Sequence, residues 1–345
     1  MKKGTDLSPF SKGGAIKGEI DLLKASNMKN KYLWLIAVII CLVSVSVYLP
    51  ALQNDFVNWD DDDYVYNNPR INDPLSDFMM WAFSTSRTGY WHPLTWLSLR
   101  ADYAFWGMNP KGYHLTSVLL HGLNALLVVL LAGSLFLKEL HSKMGPVLFG
   151  ASVVGALFAL HPFHVESVAW ISERKNVFYA FFWLLCLLAY TGYALSARGR
   201  RKVLLFLLCF MSFALSIACK PMAVTLPFVL LILDFYPLKR LDLKSRFIKV
   251  AILEKLPFFL LSGIVTFVTI IMQKKEGAMA TIEHLSLWKR FVGAIKGLGF
   301  YLAKTVWPVN LLPFYPIDSK ASLLTLDSML SLIFVHSLLP SKFSL

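Results

Sequence analysis

The segment LWLIAVIICLVSVSVYL (residues 33–49), followed by WDDDDYVYNNP (residues 59–69), decides the fold of this chain. The first segment is close to the roughly 20 apolar residues that cross a bilayer. It is too long for the apolar core of a typical signal peptide and no small-residue cleavage site follows it, so it predicts an uncleaved membrane span. The second segment places four consecutive carboxylates beside the membrane, where charge is costly unless water, a cation or a substrate uses it. Asp60–Asp63 are therefore a candidate site, or else a solvated turn or helix cap, which Asp and Asn also favour.

The composition of the whole chain is that of a membrane protein. Of its 345 residues, 56% are hydrophobic and 16% are charged, and the mean hydropathy is +0.57. Lys and Arg outnumber Asp and Glu by 34 to 21, but they fall in short clusters between apolar runs, as in cytoplasmic loops. No basic face interleaved with stacking aromatics is present in the sequence, so nucleic acid is not an expected partner. The four cysteines lie in or beside apolar runs and have no disulfide or zinc spacing.

Apolar runs near the length of a membrane span predict about eight transmembrane helices. The runs are residues 32–50, 115–137, 147–160, 177–195, 203–218, 222–236, 256–272 and a weaker one at 323–339. Basic clusters flank alternate runs, which places the N-terminus in the cytoplasm and the aspartates outside. The predicted fold is all-α and polytopic, with a basic cytoplasmic tail (1–31), a transmembrane domain (32–340) and a short tail (341–345).

The largest external segment is predicted to be the loop of residues 51–114. It contains five tryptophans and two short amphipathic runs, residues 75–83 and 94–105. Because Trp prefers the headgroup layer, these runs predict interfacial helices that lie on the membrane surface. The stretch 285–306 mixes four basic residues with apolar ones, and it predicts a further interfacial or re-entrant helix.

A second polar segment on the predicted external side is HPFHVESVAWISERKN, residues 161–176. In helical geometry Glu166, Glu173 and Arg174 share one broad face. Such a face is also what an interfacial helix with solvated charges would present. The histidines and Glu166 have side chains that could bind a metal, but a proline splits them and their spacing matches no strong metal signature.

Two smaller polar features interrupt the apolar runs. Lys220, in CKPMAVTLP, lies where one span ends and a proline interrupts the next. Its ammonium group either snorkels to the headgroup layer or contacts a phosphate. His121 and Asn124 share one face of an apolar span, and this spacing favours hydrogen bonds between helices over catalysis.

Four segments, taken in order, resemble one known family. They are FVNWDDDDYVYNNPRI (56–71), HPLTWLSLRADYAFWGMNPKGYHLTSVLLHGLNALL (92–127), ALHPFHVESVAWISERKNVFYAFFWLLCLLAY (159–190) and CKPMAVTLPFVLLILDFYPL (219–238). Together they resemble the membrane portion of the transmembrane and tetratricopeptide-repeat O-mannosyltransferase (TMTC) family, in its bacterial form. That family belongs to the GT-C superfamily of polytopic glycosyltransferases. The resemblance covers roughly residues 33–320.

The resemblance implies a glycosyltransferase that moves a mannose-like sugar from a polyprenyl-phosphate donor to a hydroxyl acceptor, expected to be protein Ser or Thr. The paired acids of the family match Asp60 and Asp61, one of which would act as general base. The substrate-binding residues are then Glu166, His164, Arg174, Lys220 and the additional acid Asp62. Arg174 and Lys220 would contact the lipid phosphate, while Glu166 would orient one of them or the acceptor. The lipid tail is expected in a groove between helices that faces the bilayer.

No cofactor and no metal ligands are expected, because basic side chains can neutralise the leaving phosphate, although the additional aspartates leave room for a divalent cation. The expected partners are the lipid-linked donor, a protein or glycan acceptor and membrane lipids. The expected location is the cytoplasmic (inner) membrane, with the site on its periplasmic face.

The resemblance also shows a departure, because the later spans and the tetratricopeptide repeats of the family are not in the sequence. This predicts a chain truncated before the repeats. Two other classes of function stay open on the sequence alone. One is a non-catalytic membrane scaffold, such as an inactive truncated relative. The other is a transporter or flippase, which would carry ionisable residues near mid-span, whereas most charges here lie at span ends.

Overall fold

A computed structural model describes residues 31–139, 144–196, 199–241, 248–277, 286–312 and 315. Every regular element within these residues is helical, so the chain is an all-α polytopic membrane protein, as predicted. The helices are α1 (Lys31–Gln53), α2 (Leu75–Ser84), α3 (Pro93–Trp106), α4 (Pro110–Glu139), α5 (Met144–Leu160), α6 (His164–Ala169), α7 (Arg174–Leu195), α8 (Arg200–Cys219), α9 (Leu226–Phe235), α10 (Ile248–Leu253), α11 (Leu256–Lys275) and α12 (Leu287–Val306).

Five predicted spans are helices long and apolar enough to cross a membrane: α1, α4, α7, α8, and α11 together with α10. Two others are shorter. One is α5, and the other is Pro221–Phe235, in which a 3-10 turn precedes α9. Pro221 and Pro227 lack the amide hydrogen of a continuous helix, which explains the separate turn. The eighth predicted span and the two tails lie outside the described residues, apart from Lys31, so the number eight stays a prediction.

Helix α4 lies at the centre of the bundle, packed against α5 and α7, and α7 packs against α8. Gly155 of α5 lies so close to α4 that a Cβ atom there would be 2.3 Å from a methyl carbon of Val129. His121 Nε2 lies 3.1 Å from the Ala159 carbonyl oxygen of α5, and the Asn124 side chain donates to the Val177 carbonyl of α7 at 2.8 Å. These bonds confirm the predicted helix-to-helix role of the two polar residues, because each satisfies a polar group inside an apolar bundle.

The N-terminal part of α11 and the C-terminal part of α9 are fastened to α7 by a buried charge cluster. Asp234 and Lys255, which are almost fully buried, form an ion pair. The hydroxyl group of Tyr190 donates to Asp234 at 2.6 Å, and Arg240 pairs with Glu254 at 2.7 Å. Two acids and two bases balance each other, as buried charges require. The cluster therefore fixes α9 and α11 relative to one another.

Residues 54–109, which we call the cap, close over the opposite end of α7. The predicted helices of this loop are confirmed as α2 and α3. Its core consists of Tyr64, Val65, Ile71, Phe78, Ala82, Trp96 and Leu99, with Tyr113 and Ile171 from outside the cap. Trp96 is fully buried and stacks on Tyr64 with ring centroids 4.6 Å apart. The Trp96 ring therefore fills the core of a folded cap, and the predicted place of α2 and α3 on the membrane surface stays a prediction.

Helix α12 is confirmed as an amphipathic helix. Trp288, Phe291 and Tyr301 are exposed on its surface. Near its end, the Thr305 carbonyl oxygen lies 3.0 Å from His161 Nε2, in the connection between α5 and α6. Its predicted place at the membrane interface stays a prediction.

Candidate functional site

A cavity of about 720 Å³ lies under the cap, where the cap meets the start of α7, the end of α8 and α11. Its polar part is lined by Asp60, Asp63, Tyr64, Thr88, Tyr90, His92, Glu173, Lys175 and Lys220. Its remaining wall is formed by Pro221, Met222, Val224, Thr266, Thr269, Ile270 and Gln273. Cavities of this size accommodate small-molecule ligands. Acidic, basic and apolar side chains thus meet in one space.

Asp60 is the acid of the four-aspartate run whose carboxylate faces this cavity without a partner. Its backbone adopts φ 64°, a left-handed conformation that Asp tolerates better than most residues. Its carbonyl oxygen accepts the amide hydrogen of Tyr64 at 2.9 Å, which starts the helical turn Asp62–Tyr66. Among the described residues, none forms a hydrogen bond or ion pair with the Asp60 carboxylate. Partial burial raises the pKa of Asp60, an effect that Lys175 opposes and neighbouring acids reinforce.

Asp61 has a different environment from its neighbour. It is 1% exposed, and its carboxylate accepts the amide hydrogens of Val57 at 3.0 Å and Ser172 at 2.8 Å. Trp170 Nε1 donates to the Trp59 carbonyl at 3.0 Å beside it. These bonds tie the aspartate run to the segment before α7. Asp61 therefore positions Asp60 opposite the residues that follow Ser172, and its own carboxylate does not line the cavity.

The remaining two aspartates differ again. Asp62 begins the helical turn and does not line the cavity, so its predicted contact with substrate does not fit this geometry. Asp63 lines the cavity, and its carboxylate pairs with Arg87 at 2.6 Å. Four identical side chains thus have four environments, because the turn points successive residues in different directions.

Glu173 lies between two lysines of the cavity wall. Its carboxylate is 2.6 Å from Lys175 Nζ and 3.9 Å from Lys220 Nζ. Asn176 donates to Glu173 and accepts from Lys220, which closes the arrangement. Lys175 Nζ also lies 4.9 Å from the centroid of the Tyr64 ring. Two ammonium groups share the Glu173 carboxylate, and Asp60 in the same cavity lies within electrostatic range of Lys175.

Lys220 is held at the junction of α8 with the following 3-10 turn. Pro221 disfavours a helical conformation for the residue before it, and Lys220 is extended, with φ −156° and ψ 127°. Thr95 of α3 donates to the Cys219 carbonyl at 2.8 Å and so binds this junction to the cap. Burial lowers the pKa of Lys220, while Glu173 opposes the shift. The predicted accessibility of this ammonium group to a ligand agrees with its place in the cavity wall.

Arg174 does not reach the cavity. Its side chain is fully buried and forms an ion pair with Asp102 of α3. It also donates to the Tyr113 carbonyl and to the hydroxyl groups of Ser98 and Ser117. This geometry does not support the predicted phosphate contact of Arg174, because its guanidinium group is enclosed, paired and absent from the cavity wall. Its position indicates that it joins α3 and α4 to the start of α7.

Glu166 and His164 lie on α6, outside the cavity wall. Glu166 is exposed, and burial and Glu173 raise its pKa while Lys220 and Lys175 lower it. It is thus within electrostatic range of the site, but the structure shows no contact with either lysine. The His164 ring packs 4.6 Å from Phe158, and burial lowers its pKa to about 4. Its predicted role in substrate binding does not fit this position.

His92 lines the cavity and was not among the residues that the sequence indicated. It is 1% exposed, and neither ring nitrogen has a hydrogen-bond partner among the described residues. Burial lowers its pKa to about 3. An imidazole with this pKa is neutral at physiological pH, with one nitrogen as donor and the other as acceptor.

The apolar side of the cavity continues into a second groove of about 430 Å³ between α9 and α11. The two spaces share Val224, Thr266 and Ile270. The other residues of the groove are Thr225, Phe228, Phe259, Ser262, Gly263 and Phe267. An elongated ligand with a charged head and an apolar tail would fit the combined shape.

No three His, Cys, Asp or Glu side chains in the described part of the chain are arranged to hold a metal ion. The aspartate run does not form such a group, because its carboxylates diverge.

The amino-acid sequence is similar to protein O-mannosyl-transferases. It is 33% identical to protein O-mannosyl-transferase Tmtc1 of Drosophila melanogaster over 187 residues, which are 52% of this chain and 20% of the relative. It is 30% identical to mouse TMTC2 over 237 residues, 65% of this chain and 27% of the relative. It is 29% identical to mouse TMTC4 over 227 residues, 60% of this chain and 30% of the relative.

These matches cover 20 to 30% of the length of the curated relatives. No protein-family model matches the sequence, and no solved structure matches it. The chain therefore has homologues named as O-mannosyl-transferases over about half of its length, in agreement with the resemblance seen in the sequence motifs.

Sequence reasoning missed Lys175 and His92 as binding residues, and it noted Glu173 only as part of a charged helix face. A signal existed for Lys175, because it directly follows Arg174 and neighbouring residues of a helix point about 100° apart. One of two adjacent cations at the start of a buried helix must therefore point away from the other. The sequence does not say which of them faces the cavity.

Proposed function

We propose that this chain is the membrane portion of a TMTC-type O-mannosyltransferase of the GT-C superfamily. It transfers a mannose-like sugar from a polyprenyl phosphate to a hydroxyl acceptor, such as a protein Ser or Thr. The observation that carries the proposal is the cavity, in which an unpartnered Asp60 faces two lysines at the head of an apolar groove. The similarity to relatives named as O-mannosyl-transferases supports the class of reaction.

Asp60 is the general base of the proposed reaction. Its carboxylate takes the proton of the acceptor hydroxyl while the acceptor oxygen attacks the anomeric carbon of the sugar. The bond between that carbon and the phosphate oxygen breaks, and its electron pair leaves with the phosphate. The absence of any described partner to Asp60, together with its raised pKa, favours it over Asp61 for this role. Asp61 is a positioning residue.

Lys175 and Lys220 bind the lipid phosphate in this proposal. The leaving group gains negative charge as the glycosidic bond breaks, and fixed ammonium groups stabilise that charge. Glu173 holds both lysines in place, since it contacts each of them. Because Lys220 is already partly desolvated, a phosphate beside it replaces the lost solvation.

The lipid tail occupies the groove between α9 and α11. The groove walls carry exposed apolar side chains such as Phe228 and Phe267, which gives a polyprenyl chain a surface to bury. The basic clusters of the sequence favour a cytoplasmic N-terminus, and the cavity then opens on the external, periplasmic face of the cytoplasmic membrane. A secreted or membrane-bound protein is the acceptor that fits this location.

The proposal is tested by transfer in vitro. The purified chain in lipid nanodiscs is incubated with radiolabelled polyprenyl-phosphate mannose and a Ser/Thr-rich protein acceptor. Asp60→Asn is compared with Asp62→Asn, which makes the same chemical change two residues away and outside the cavity. We expect Asp60→Asn to lower the rate by about 10²–10⁴, the usual contribution of a general base, and Asp62→Asn to leave it within a few-fold.

Equal rates for the two variants would contradict the role of Asp60. Donor binding by the parent chain without transfer to any acceptor would favour a non-catalytic lipid-binding scaffold. Binding is therefore measured in the same samples, by displacement of a fluorescent polyprenyl phosphate.

A further inference from the structure

His92 is a polar residue in the cavity wall that the proposed reaction does not use. Its ring is almost completely enclosed by protein, yet both nitrogens lack a partner among the described residues. The backbone of Tyr90 opposes the lowering of the His92 pKa by burial, but neither ring nitrogen has a partner in hydrogen-bonding geometry. An unsatisfied buried polar group costs about 1–3 kcal/mol, so a structure that keeps one beside a cavity indicates a ligand that satisfies it.

The orientation of the His92 ring is fixed by its neighbours. It stacks on Trp96 at 5.1 Å between centroids and on Tyr64 at 5.6 Å, with interplanar angles of 23° and 24°. Its carbonyl oxygen accepts the amide hydrogen of Thr95 at 3.0 Å, at the start of α3, so the backbone is fixed as well. Tyr64 and Trp96 also stack on each other, with ring centroids 4.6 Å apart, so both lie on the same side of the His92 ring. They hold its edge, which carries the two unpartnered nitrogens, in the wall of the cavity.

The chemistry of this edge suits a neutral partner with hydroxyl groups. Burial is the main effect that disfavours a proton on His92, and the charges of Lys175 and Lys220 add to it. The ring thus presents one N–H donor and one acceptor beside the two cations. A phosphate is better met by the lysines, whereas a sugar hydroxyl both donates and accepts.

We propose that His92 binds a hydroxyl group of the transferred sugar, and that the stacked Tyr64 and Trp96 rings hold it in place for this contact. The proposal rests on the proposed function, because it takes the lysines as the phosphate site and assigns the adjoining space to the sugar. It makes His92 a determinant of donor recognition. The protein then recognises the head of the donor at two points: the lysines bind the phosphate by charge, and His92 binds the sugar by hydrogen bonds.

Binding of two ligands that differ only in the sugar tests this assignment. Polyprenyl-phosphate mannose and the bare polyprenyl phosphate are titrated against the full chain in nanodiscs. We expect the parent chain to prefer the glycosylated lipid. His92→Phe keeps a flat ring for the stack but removes both nitrogens. We expect the ratio of its affinities for the glycosylated and the bare lipid to fall about tenfold, the usual value of one hydrogen bond to a buried site. His92→Gln restores a donor and an acceptor and should recover part of it.

The matched control is His114→Phe. His114 is equally enclosed and has no partner for either ring nitrogen among the described residues, but it does not line the cavity. It should leave the preference for the glycosylated lipid unchanged. If His92→Phe fails to fold, the test instead uses donor analogues that each lack one sugar hydroxyl group. At least one analogue should bind the parent chain about tenfold more weakly and bind His92→Gln with a smaller penalty.

The outcomes distinguish a failure of the His92 assignment from a failure of the proposed function. If the parent chain prefers the sugar-bearing lipid and His92→Phe keeps that preference in full, the assignment of His92 is overturned while the phosphate site stands. The same holds if no deoxy analogue loses affinity. If the parent chain binds neither lipid, the proposed function fails and the role of His92 fails with it.

Discussion

The buried ion pair of Arg174 and Asp102 separates a structural role from a substrate-binding role. The guanidinium group is fully enclosed, and its partners besides Asp102 are Tyr113, Ser98 and Ser117. Removal of one member of such a pair leaves an uncompensated buried charge, which costs about 3–5 kcal/mol. Replacement of both members by apolar residues of similar size removes that penalty, and such replacements are often close to neutral.

We therefore expect Arg174→Met and Asp102→Leu each to lower the free energy of unfolding by about 3–5 kcal/mol. The double variant should lose clearly less than the sum of the two, and less than either one alone. Unfolding is followed by tryptophan fluorescence in mixed micelles with increasing SDS. The affinity for polyprenyl phosphate is measured below the unfolding transition, and it should stay within a few-fold of the parent value in the double variant.

A surface ion pair supplies the control. Arg70 and Asp73 are 3.0 Å apart, with exposed side-chain fractions of 55% and 24%, and such pairs contribute about 0–1 kcal/mol. Arg70→Met should therefore be nearly silent. The reasoning would be refuted by an Arg174→Met chain that unfolds like the parent but no longer binds the lipid phosphate. That result would restore the phosphate contact first expected from the sequence.

The other predictions concern the cavity and its groove. Asp61→Ala, which frees the Val57 and Ser172 amides, should lower transfer about as much as Asp60→Asn and also expose the aspartate run to limited proteolysis, which Asp60→Asn should not. Because the folded state raises the pKa of Asp60, it disfavours the charged carboxylate. Asp60→Asn should therefore raise thermal stability near neutral pH, and the gain should vanish as pH falls through the folded pKa in a melting series. Gly263→Leu has open space at its Cβ and should weaken binding of long-chain polyprenyl phosphate about tenfold while short-chain analogues bind normally; Gly293→Leu on α12, with similar space, is the control.

The membrane helices were the part of the fold most accessible from the sequence. A bilayer of fixed thickness demands apolar runs of a fixed length, and five such runs are long helices here. Length and hydropathy are least informative at the run 222–236, because neither shows that a 3-10 turn, which begins at Pro221, precedes α9. The cap was predicted only as two helices. Its folded core depends on contacts between Tyr64, Trp96 and Ile171, which are far apart in the sequence.

The candidate site was accessible in its location but not in its individual residues. The sequence indicated that the aspartate run, residues 161–176 and Lys220 belong together, and the structure brings Asp60, Glu173 and Lys220 to one cavity. The sequence alone does not distinguish which of the four identical aspartates faces the cavity. Their difference arises from the turn. Asp60, with a left-handed backbone conformation, faces the cavity, while the carboxylate of Asp61 accepts hydrogen bonds from two backbone amides.

The adjacent cations at the start of α7 show how side-chain chemistry could have improved the assignment. A guanidinium group has five donors in a rigid fork and suits an enclosed position with several acceptors, whereas an ammonium group is a compact charge on a flexible stem. Arg174 has four such acceptors around it, and Lys175 lies at the cavity between Glu173 and the Tyr64 ring. If the phosphate site is built from lysines for this reason, Lys175→Arg should fold normally and still bind the donor poorly, because a planar fork does not reproduce the compact charge that Lys175 places beside Glu173. Transfer at the parent rate in that variant would show that charge alone, and not the shape of the cation, determines the contact with the phosphate.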